Sequence, residues 1–179
     1  MEYIADLPKT YEATIELGKA TTTYDAEGEV VYEGDVSGVD LRRIEEALSS
    51  FRGTFLQIPP PYSAKKKGGI PLYKLARAGK EVPRDPRPVE IRRLDVKEWK
   101  PPFLRLEVEC GKGVYIRSLA HDLGAKLGCG GYLMELVRKK VGPFRLDESL
   151  SFEDLEAEVR RGELGRILLP PDFIFQNLA

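Results

Sequence analysis

The order of strand and helix patterns in the sequence predicts an α+β fold with a mixed, mainly antiparallel sheet. Strand patterns come in runs, two near the N-terminus and about three in the middle of the chain, instead of alternating strictly with helices. With 179 residues, of which 42% are hydrophobic, the chain is long enough for one domain with a sizeable core.

The first strand is predicted close to the N-terminus, because apolar and polar residues alternate there with period two. Residues 18–25 form a Thr-rich connection that is unfavourable for a strand, and a second short strand follows at residues 29–32. The apolar face of the first strand consists of Tyr11, Ala13, Ile15 and Leu17.

A helix is predicted after Asp40, which is suited to be its N-cap. Apolar residues follow at helical spacing, and Gly53 lies just beyond them as a C-terminal stop. These apolar residues are Leu41, Ile44, Leu48 and Phe51.

The segment 58–87 is predicted to leave the sheet as a long excursion, of the kind that usually carries function. Three consecutive prolines at 59–61 favour a stiff, extended lead-in. Residues 65–69 (KKKGG) then supply cations on a flexible backbone, and a short helix is expected at residues 72–79.

Charge is unevenly distributed along the chain, although the formal net charge is only -1. Between Lys65 and Arg93 there are ten basic and three acidic residues, a block that is able to neutralise several phosphates. Residues 147–163 contain seven acidic residues and two arginines. The net charge argues against a uniformly basic nucleic-acid binder. The basic block is suited to a polyanion, and the alternative interpretation is an ordinary solvated loop.

Strands are predicted at residues 89–96 and 104–110, and a turn with two glycines then leads into a helix over residues 116–128. Tyr115 and Arg117 lie two positions apart at this junction. If the backbone is still extended there, their side chains share one face, which is a candidate site. The glycine spacing matches neither GxGxxG nor a GK[ST] loop, so nucleotide-cofactor binding is unsupported.

The C-terminal part of the sequence is less decisive. Residues 133–137 fit either a helix or a strand, and Arg138, Lys139 and Lys140 add a second basic cluster. A last helix is predicted from the capping residue Ser151 to Gly162.

Cys110 and Cys129 are predicted to be small buried hydrophobic residues, because they lack CxxC spacing and the chain has one histidine. An ordinary zinc site is therefore not expected. The N-terminus has neither the basic nor the apolar region of a secretory signal, and no apolar run is long enough to span a membrane. We expect a cytoplasmic protein with no membrane partner.

Five motifs, spread in order over nearly the whole chain, carry a resemblance to a known family. They are KTYEA with LG and TYDAEG (9–28), QIPPPYSA (57–64), LYKLARAG (72–79), GVYIRSL (113–119) and LVRKKVGPF (136–144). Together they resemble the bacterial TruB family of tRNA pseudouridine synthases. This resemblance implies a pseudouridine synthase fold with flanking helices.

The resemblance also implies an activity, the cofactor-free isomerisation of a uridine in the T-loop of tRNA. In the family the base is flipped out, its N1 glycosidic bond is broken, and the ring is rotated and rejoined through C5. Reaching that bond in a stacked loop requires extrusion of the nucleotide into a pocket. The implied partner is tRNA, and no cofactor is expected.

Individual residues acquire roles by the same resemblance. Tyr11 would stack against the target base and help to remove the C5 proton, and Arg117 would form the ion pair that positions a catalytic carboxylate. Tyr115 and Leu136 would line the pocket, and the excursion 58–87 would be an RNA-gripping thumb. The expected RNA-binding residues are Lys65, Lys66, Lys67, Lys74, Arg77 and Arg138.

One family motif is missing from the sequence. The family's nucleophilic aspartate lies in a Gly-x-Leu-Asp-Pro motif upstream of the strand that holds Tyr11, and the 179 residues contain no such motif. Neither Asp25 nor Asp122 matches the nucleophile position. Residues 1–179 are therefore expected to be a partial catalytic domain that also lacks the C-terminal PUA domain.

Several expectations follow from the missing motif. The isolated chain should be inactive unless a complementing N-terminal segment or chain supplies the nucleophile, and the alternative is a non-catalytic tRNA-binding or tRNA-folding module. The strand of Tyr11 should lie at an exposed edge of the sheet and favour association. Arg117 should be a semi-buried cation that needs another anion.

Overall fold

The structure, a computed structural model, describes residues 2–62, 66–67, 70–71, 84–170 and 172–176. It confirms the predicted α+β fold with a mainly antiparallel sheet. The helix predicted at residues 72–79 lies outside the described residues. No helix in the described ranges is long and apolar enough to cross a membrane.

A six-stranded sheet forms the centre of the molecule, with strand order β10-β9-β1-β8-β7-β4 and antiparallel pairing between all neighbours. Its strands are β1 (Lys9–Leu17), β4 (Gly53–Gln57), β7 (Arg87–Lys100), β8 (Phe103–Cys110), β9 (Gly131–Val141) and β10 (Phe144–Arg145). Two small hairpins accompany it, formed by β2 (Lys19–Thr21) with β3 (Val30–Glu33) and by β5 (Lys66–Lys67) with β6 (Ile70–Pro71).

The position of β1 contradicts the expectation that the strand of Tyr11 lies at an edge. β1 is central, because it pairs along its length with β8 on one side and with β9 on the other. Tyr11 lies opposite Val108 on β8 and opposite Arg138 on β9. β4 forms one edge of the sheet, and most of β9 is open at the other edge, because β10 pairs only with Lys140 and Val141.

The helices confirm three predicted starts and two predicted stops, whereas the helix after Asp40 ends at Ser49, and Gly53, its predicted stop, is the first residue of β4. The helices are α1 (Glu2–Asp6), α2 (Leu41–Ser49), α3 (Ile116–Leu127), α4 (Phe152–Arg161) and α5 (Phe173–Gln176). Asp40 caps α2 by accepting from the backbone N–H of Arg43, and Ser151 caps α4 by accepting from that of Asp154. Gly128 ends α3 in the left-handed conformation, with φ 79°. Neither α1 nor α5 was predicted.

The core lies on one face of the sheet, under α2 and α3. Leu104, Leu106, Val108 and Cys110 of β8 are buried on this face, as their alternation predicts, and both cysteines are buried and free. The residues of α3 that pack into the core include Leu119, Ala120 and Leu123, none of which is exposed. The opposite face carries charged pairs such as Arg105–Glu12 and Arg93–Glu107.

Several strand assignments differ from the sequence analysis, and β5, β6 and β10 were not predicted. The connection at 18–25 contains β2, a three-residue strand held by pairing with β3 and not by an alternating apolar pattern. β4 was not predicted, because its side chains are mostly exposed and give little periodicity. The ambiguous segment 133–137 is part of β9, since its backbone pairs with β1.

Candidate functional site

The junction between β8 and α3 places Tyr115 and Arg117 differently from the extended arrangement that the sequence suggested. Tyr115 is the N-cap residue of α3, with extended backbone angles, and the helix begins at Ile116. Arg117 therefore lies in the first helical turn. The alternation of a strand does not relate these two side chains, so the reasoning that placed them on one face is wrong.

Gln57, at the end of β4, fixes the start of α3. Its side chain accepts from the backbone N–H of Tyr115 (2.8 Å) and donates to the Tyr115 carbonyl (3.1 Å). The hydroxyl of Ser118 donates to the Ile58 carbonyl at 2.7 Å. Gln57 is 2% exposed. The sequence analysis missed this residue, because nothing in a lone glutamine before three prolines signals a buried side chain.

Arg117 finds its anion in Asp25, which lies in the turn between β2 and β3. Arg117 Nη1 and Asp25 Oδ2 are 2.8 Å apart, and the two side chains are 29% and 18% exposed. Arg117 Nη2 also donates to the Tyr62 carbonyl at 3.0 Å. This arrangement agrees with the expectation that Arg117 needs an anion and supplies the partner that the sequence analysis did not assign.

The carboxylate of Asp25 is held by its own turn. Its Oδ1 accepts from the hydroxyl of Thr23 and from the backbone N–H of Glu27, the latter at 3.2 Å. Thr21 donates its hydroxyl to the Asp25 carbonyl at 2.7 Å, and Asp25 forms a parallel bridge with Leu133 of β9. Both carboxylate oxygens therefore have partners, so the orientation of Asp25 toward Arg117 is fixed from several directions.

An open cleft of about 540 Å³ lies over the Arg117–Asp25 pair. Its acidic residues, Asp25, Glu27 and Glu29, outnumber its cation, Arg117. The cleft is lined by Thr22, Thr23, Asp25, Glu27, Gly28, Glu29, Tyr62 and Arg117.

Tyr11 is half-buried on the core face of β1. Burial raises the pKa of its hydroxyl, Cys110 adds to this effect and Arg138 on the neighbouring strand opposes it. The phenol is therefore neutral at pH 7. Asp25 forms a bridge with Leu133, which in turn pairs with Ile15 of β1. Tyr11 lies four residues from Ile15, so roughly 13 Å of strand separates the backbones of these two residues.

The remaining predicted site residues are only partly described. Leu136 is 44% exposed on β9 and lies opposite Ala13, and Arg138 is exposed two positions further along. Lys66 and Lys67 form β5. Lys65, Lys74 and Arg77 lie outside the described residues.

A second cluster of polar residues surrounds Tyr24, next to Asp25. The Tyr24 ring stacks on His121 of α3, and Arg84 donates to the Tyr24 hydroxyl. Burial lowers the pKa of His121, and the positive charge of Arg84 lowers it further. Burial raises the pKa of Asp122 to about 6, against an opposing effect of Arg84. Within the described parts of the chain, no group of three or more His, Cys, Asp or Glu residues is arranged to hold a metal ion.

Family comparisons agree with the motifs. Residues 1–116 match the model of the TruB family pseudouridylate synthase N-terminal domain, and residues 117–176 match that of the tRNA pseudouridylate synthase B C-terminal domain. The chain belongs to the TruB family. The boundary between the two TruB models falls between the first two residues of α3.

Curated relatives of this TruB chain are longer than it is. A tRNA pseudouridine synthase B of Dehalococcoides mccartyi is 49% identical over 172 residues, which are 96% of this chain and 57% of the relative. One from Pseudomonas fluorescens is 49% identical over 98% of this chain and 58% of its own length. This chain thus spans somewhat over half the length of these relatives.

Solved structures resemble the TruB chain in fold. A crystal structure of a Cbf5-Nop10-Gar1 complex superposes with a TM-score of 0.63 and 27% identity, covering 95% of this chain and 41% of that chain. A structure of an H/ACA RNP bound to a substrate RNA containing 2'-deoxyuridine has a TM-score of 0.61, covers 97% of this chain and 40% of that chain, and at 21% identity bears on the fold alone.

Proposed function

We propose that this chain is the larger part of the catalytic domain of a TruB-type tRNA pseudouridine synthase, which isomerises the T-loop uridine without a cofactor. The observation that carries the proposal is the partly buried ion pair between Arg117 and Asp25 in an open cleft. It lies where two of the family-like motifs, TYDAEG and GVYIRSL, meet. An oriented guanidinium at such a place is suited to hold the carboxylate of a nucleophile.

Tyr11 and Leu136 complete the proposed pocket along β1 and β9. Tyr11 stacks on the flipped uracil, and its neutral hydroxyl is available for a proton relay at C5. The reaction breaks the bond between N1 and C1′, forms one between C5 and C1′, and moves the C5 proton to N1, so it consumes no co-reactant. Tyr115 lines the pocket from the start of α3. The proposed location of the protein is the cytoplasm.

The nucleophilic aspartate is proposed to come from a complementing segment or chain. The open edge of β9 supports a place for it, because residues 134–139 pair with β1 on one side and with no strand on the other among the described residues. Leu136, a proposed pocket residue, lies in this stretch. A strand added there would bring its own side chains next to the pocket.

Tritium release tests the proposed activity directly. The chain is mixed with a peptide that carries a Gly-x-Leu-Asp-Pro motif, and release of tritium from a T-stem-loop RNA with [5-³H]uridine is followed. We expect release with both components, none with the chain alone, and a loss of about a hundredfold or more in Arg117→Met. A full-length enzyme assembled from both segments serves as the positive control. If that enzyme turns over and Arg117→Met is equally active, the proposed role of Arg117 is wrong.

A second candidate function is a non-catalytic tRNA-binding or tRNA-folding module. The basic block from Lys65 to Arg93 favours it. This module would bind tRNA with an affinity that falls with salt and with a Lys65→Ala, Lys66→Ala, Lys67→Ala triple change. It would show no turnover with any complementing segment, which separates it from the enzyme.

A further inference from the structure

The backbone of Tyr24 is unusual in a way that concerns its neighbour, Asp25. Tyr24 has φ 67°, and it is the non-glycine residue with a positive φ in the described part of the chain. A bulky aromatic residue rarely adopts this conformation and keeps it only where the surroundings enforce it. The strained peptide directly precedes the carboxylate that pairs with Arg117.

Three contacts enforce the conformation of Tyr24. Its ring stacks on His121 with a centroid separation of 3.7 Å and an interplanar angle of 8°. Its carbonyl accepts from the backbone N–H of Leu133 at 3.0 Å. Arg84 Nη1 donates to its hydroxyl at 3.2 Å, and the same guanidinium lies 6.0 Å from the ring centroid. The residue is therefore fixed at its backbone, its ring and its hydroxyl.

Arg84 also connects Tyr24 to the basic excursion. Its Nη1 donates to the carbonyl of Pro59 at 3.3 Å, and Pro59 and Arg84 lie near the two ends of the segment 58–87. Arg117 reaches the same region through the Tyr62 carbonyl. Both members of the ion pair are thus attached to the base of the excursion, Arg117 directly and Asp25 through Tyr24 and Arg84.

We propose that Tyr24, Arg84 and His121 are positioning residues that hold Asp25 against Arg117 and couple this pair to the excursion. This inference rests on the proposed function for the role of Arg117. His121 packs against the Tyr24 ring from α3, the helix that also carries Arg117. The stack therefore fixes the position of the Asp25 turn relative to this helix. Arg84 connects the Asp25 turn to Pro59, at the start of the excursion that is proposed to grip RNA.

The test uses side-chain NMR on this chain, because that readout needs no catalytic activity. The signals are the Nε–H of Arg117 and the hydrogen exchange of the Glu27 amide, which donates to Asp25. Arg84→Met removes the donors and keeps the aliphatic length, whereas Tyr24→Phe removes only the hydroxyl. Arg87→Met is the matched control, since Arg87 is exposed at the same end of the excursion.

We expect Arg84→Met and Tyr24→Phe to shift the Arg117 signal and to speed exchange of the Glu27 amide by at least about tenfold, with global unfolding little changed. Arg84→Lys should lie between the wild type and Arg84→Met in both signals, because lysine keeps the positive charge but not the planar guanidinium. Arg87→Met should resemble the wild type. An unchanged Arg117 signal and Glu27 exchange rate in folded Arg84→Met would overturn the proposal.

Titration with a T-stem-loop RNA separates this inference from the proposed function. In the wild type, bound RNA should shift the Arg117 signal, and in Arg84→Met the RNA should still bind but the shift should be lost. An equal shift in both proteins would overturn the coupling. If the wild type binds no RNA, the proposed function fails, whereas the NMR comparison of the free proteins still decides whether these residues position Asp25.

Discussion

Arg117 owes its orientation to a carboxylate that lies 92 positions earlier in the chain. The pair is partly withdrawn from water, so its two charges interact more strongly than those of an exposed pair, and the removal of one partner leaves the other poorly solvated. The other carboxylate oxygen of Asp25 accepts from Thr23 and Glu27, and Arg117 Nη2 donates to the Tyr62 carbonyl. At the scale of single residues, the site is a small network of charge-assisted hydrogen bonds.

Arg117→Met should therefore lower the free energy of unfolding by about 1–2 kcal/mol, because it leaves Asp25 without its counter-charge in a partly buried place. Urea denaturation at neutral pH measures this change. Arg42→Met is the matched control, because Arg42 forms an exposed pair with Glu46 and should change stability by less than about 0.5 kcal/mol. Equal effects of the two changes would contradict a special role for the Arg117–Asp25 pair.

Asp122 should make stability depend on pH. Its pKa is raised to about 6 from 3.8, so the folded state binds more protons than the unfolded state between pH 4 and 6, and the free energy of unfolding falls as pH rises through this window. His121 acts in the opposite direction, because its pKa is lowered and stability is lost as pH falls through 6.5.

Asp122→Asn should consequently raise the free energy of unfolding at pH 7 by about 1 kcal/mol, a value reduced for partial exposure, and change it little below pH 4. Thermal unfolding at a series of pH values provides the measurement. Glu33→Gln, a change at an exposed carboxylate on β3, should leave the pH profile as it is. A wild-type profile in Asp122→Asn would show that this carboxyl is not perturbed by burial.

Gln57 connects two elements that are far apart in sequence. Its amide satisfies both the N–H and the carbonyl of Tyr115, so it joins the end of β4 to the start of α3. A helix start leaves backbone N–H groups unpaired, and here a side chain from the sheet accepts from one of them, whereas the Tyr115 carbonyl also accepts from the Leu119 N–H. The same contact fixes where Arg117 emerges from the helix.

Gln57→Ala should destabilise the protein by about 1–3 kcal/mol, because the backbone N–H of Tyr115 loses its acceptor in a partly buried place, whereas the Tyr115 carbonyl keeps its bond from the Leu119 N–H. Denaturant midpoints test this expectation. The neighbouring change Leu56→Ala removes more apolar atoms, yet Leu56 is 68% exposed, so its cost should be smaller. The reverse order of the two costs would show that the amide contacts contribute little.

Several elements were predictable from local chemistry. The caps at Asp40 and Ser151 and the glycines after α3 and α4 act within a few residues, so the sequence alone marks α2, α3 and α4. β2 is held by its hairpin partner β3 and β4 by the distant strand β7, and both carry little periodicity of their own. Likewise, the motif of Arg117 was visible in the sequence, whereas its partner Asp25 and the support from Gln57 depend on the tertiary fold.

The whole molecule presents an open sheet edge at β9 and exposed apolar side chains beside it. Met134, Leu136 and Val137 are each more than 40% exposed on this strand. A free edge with apolar side chains is a template for pairing with another strand. Association should therefore proceed through β9, and not through β1 as the sequence suggested, because β1 has neighbours on both sides.

Val137→Lys should reduce self-association, because a charged residue on an open edge opposes strand pairing. Size-exclusion chromatography with light scattering over a range of concentrations measures the change. Val159→Lys is the control, since Val159 is 50% exposed on the helix α4 and not on a strand. Equal reductions in both variants would assign association to apolar surface in general, and a wild type that stays monomeric would contradict the prediction.

The boundary between the two family models, after Ile116, has a consequence for how the protein is divided in the laboratory. Ile116 and the following residues of α3, such as Leu119 and Leu123, belong to one hydrophobic core with β1 and β8. A cut at this boundary would strip the sheet of the helix that covers it and would leave the second piece without a sheet to fold on. The two halves recognised by homology are one cooperative unit, so a separately expressed 1–116 piece should remain unfolded, whereas co-expression of both pieces offers a route to a reassembled domain.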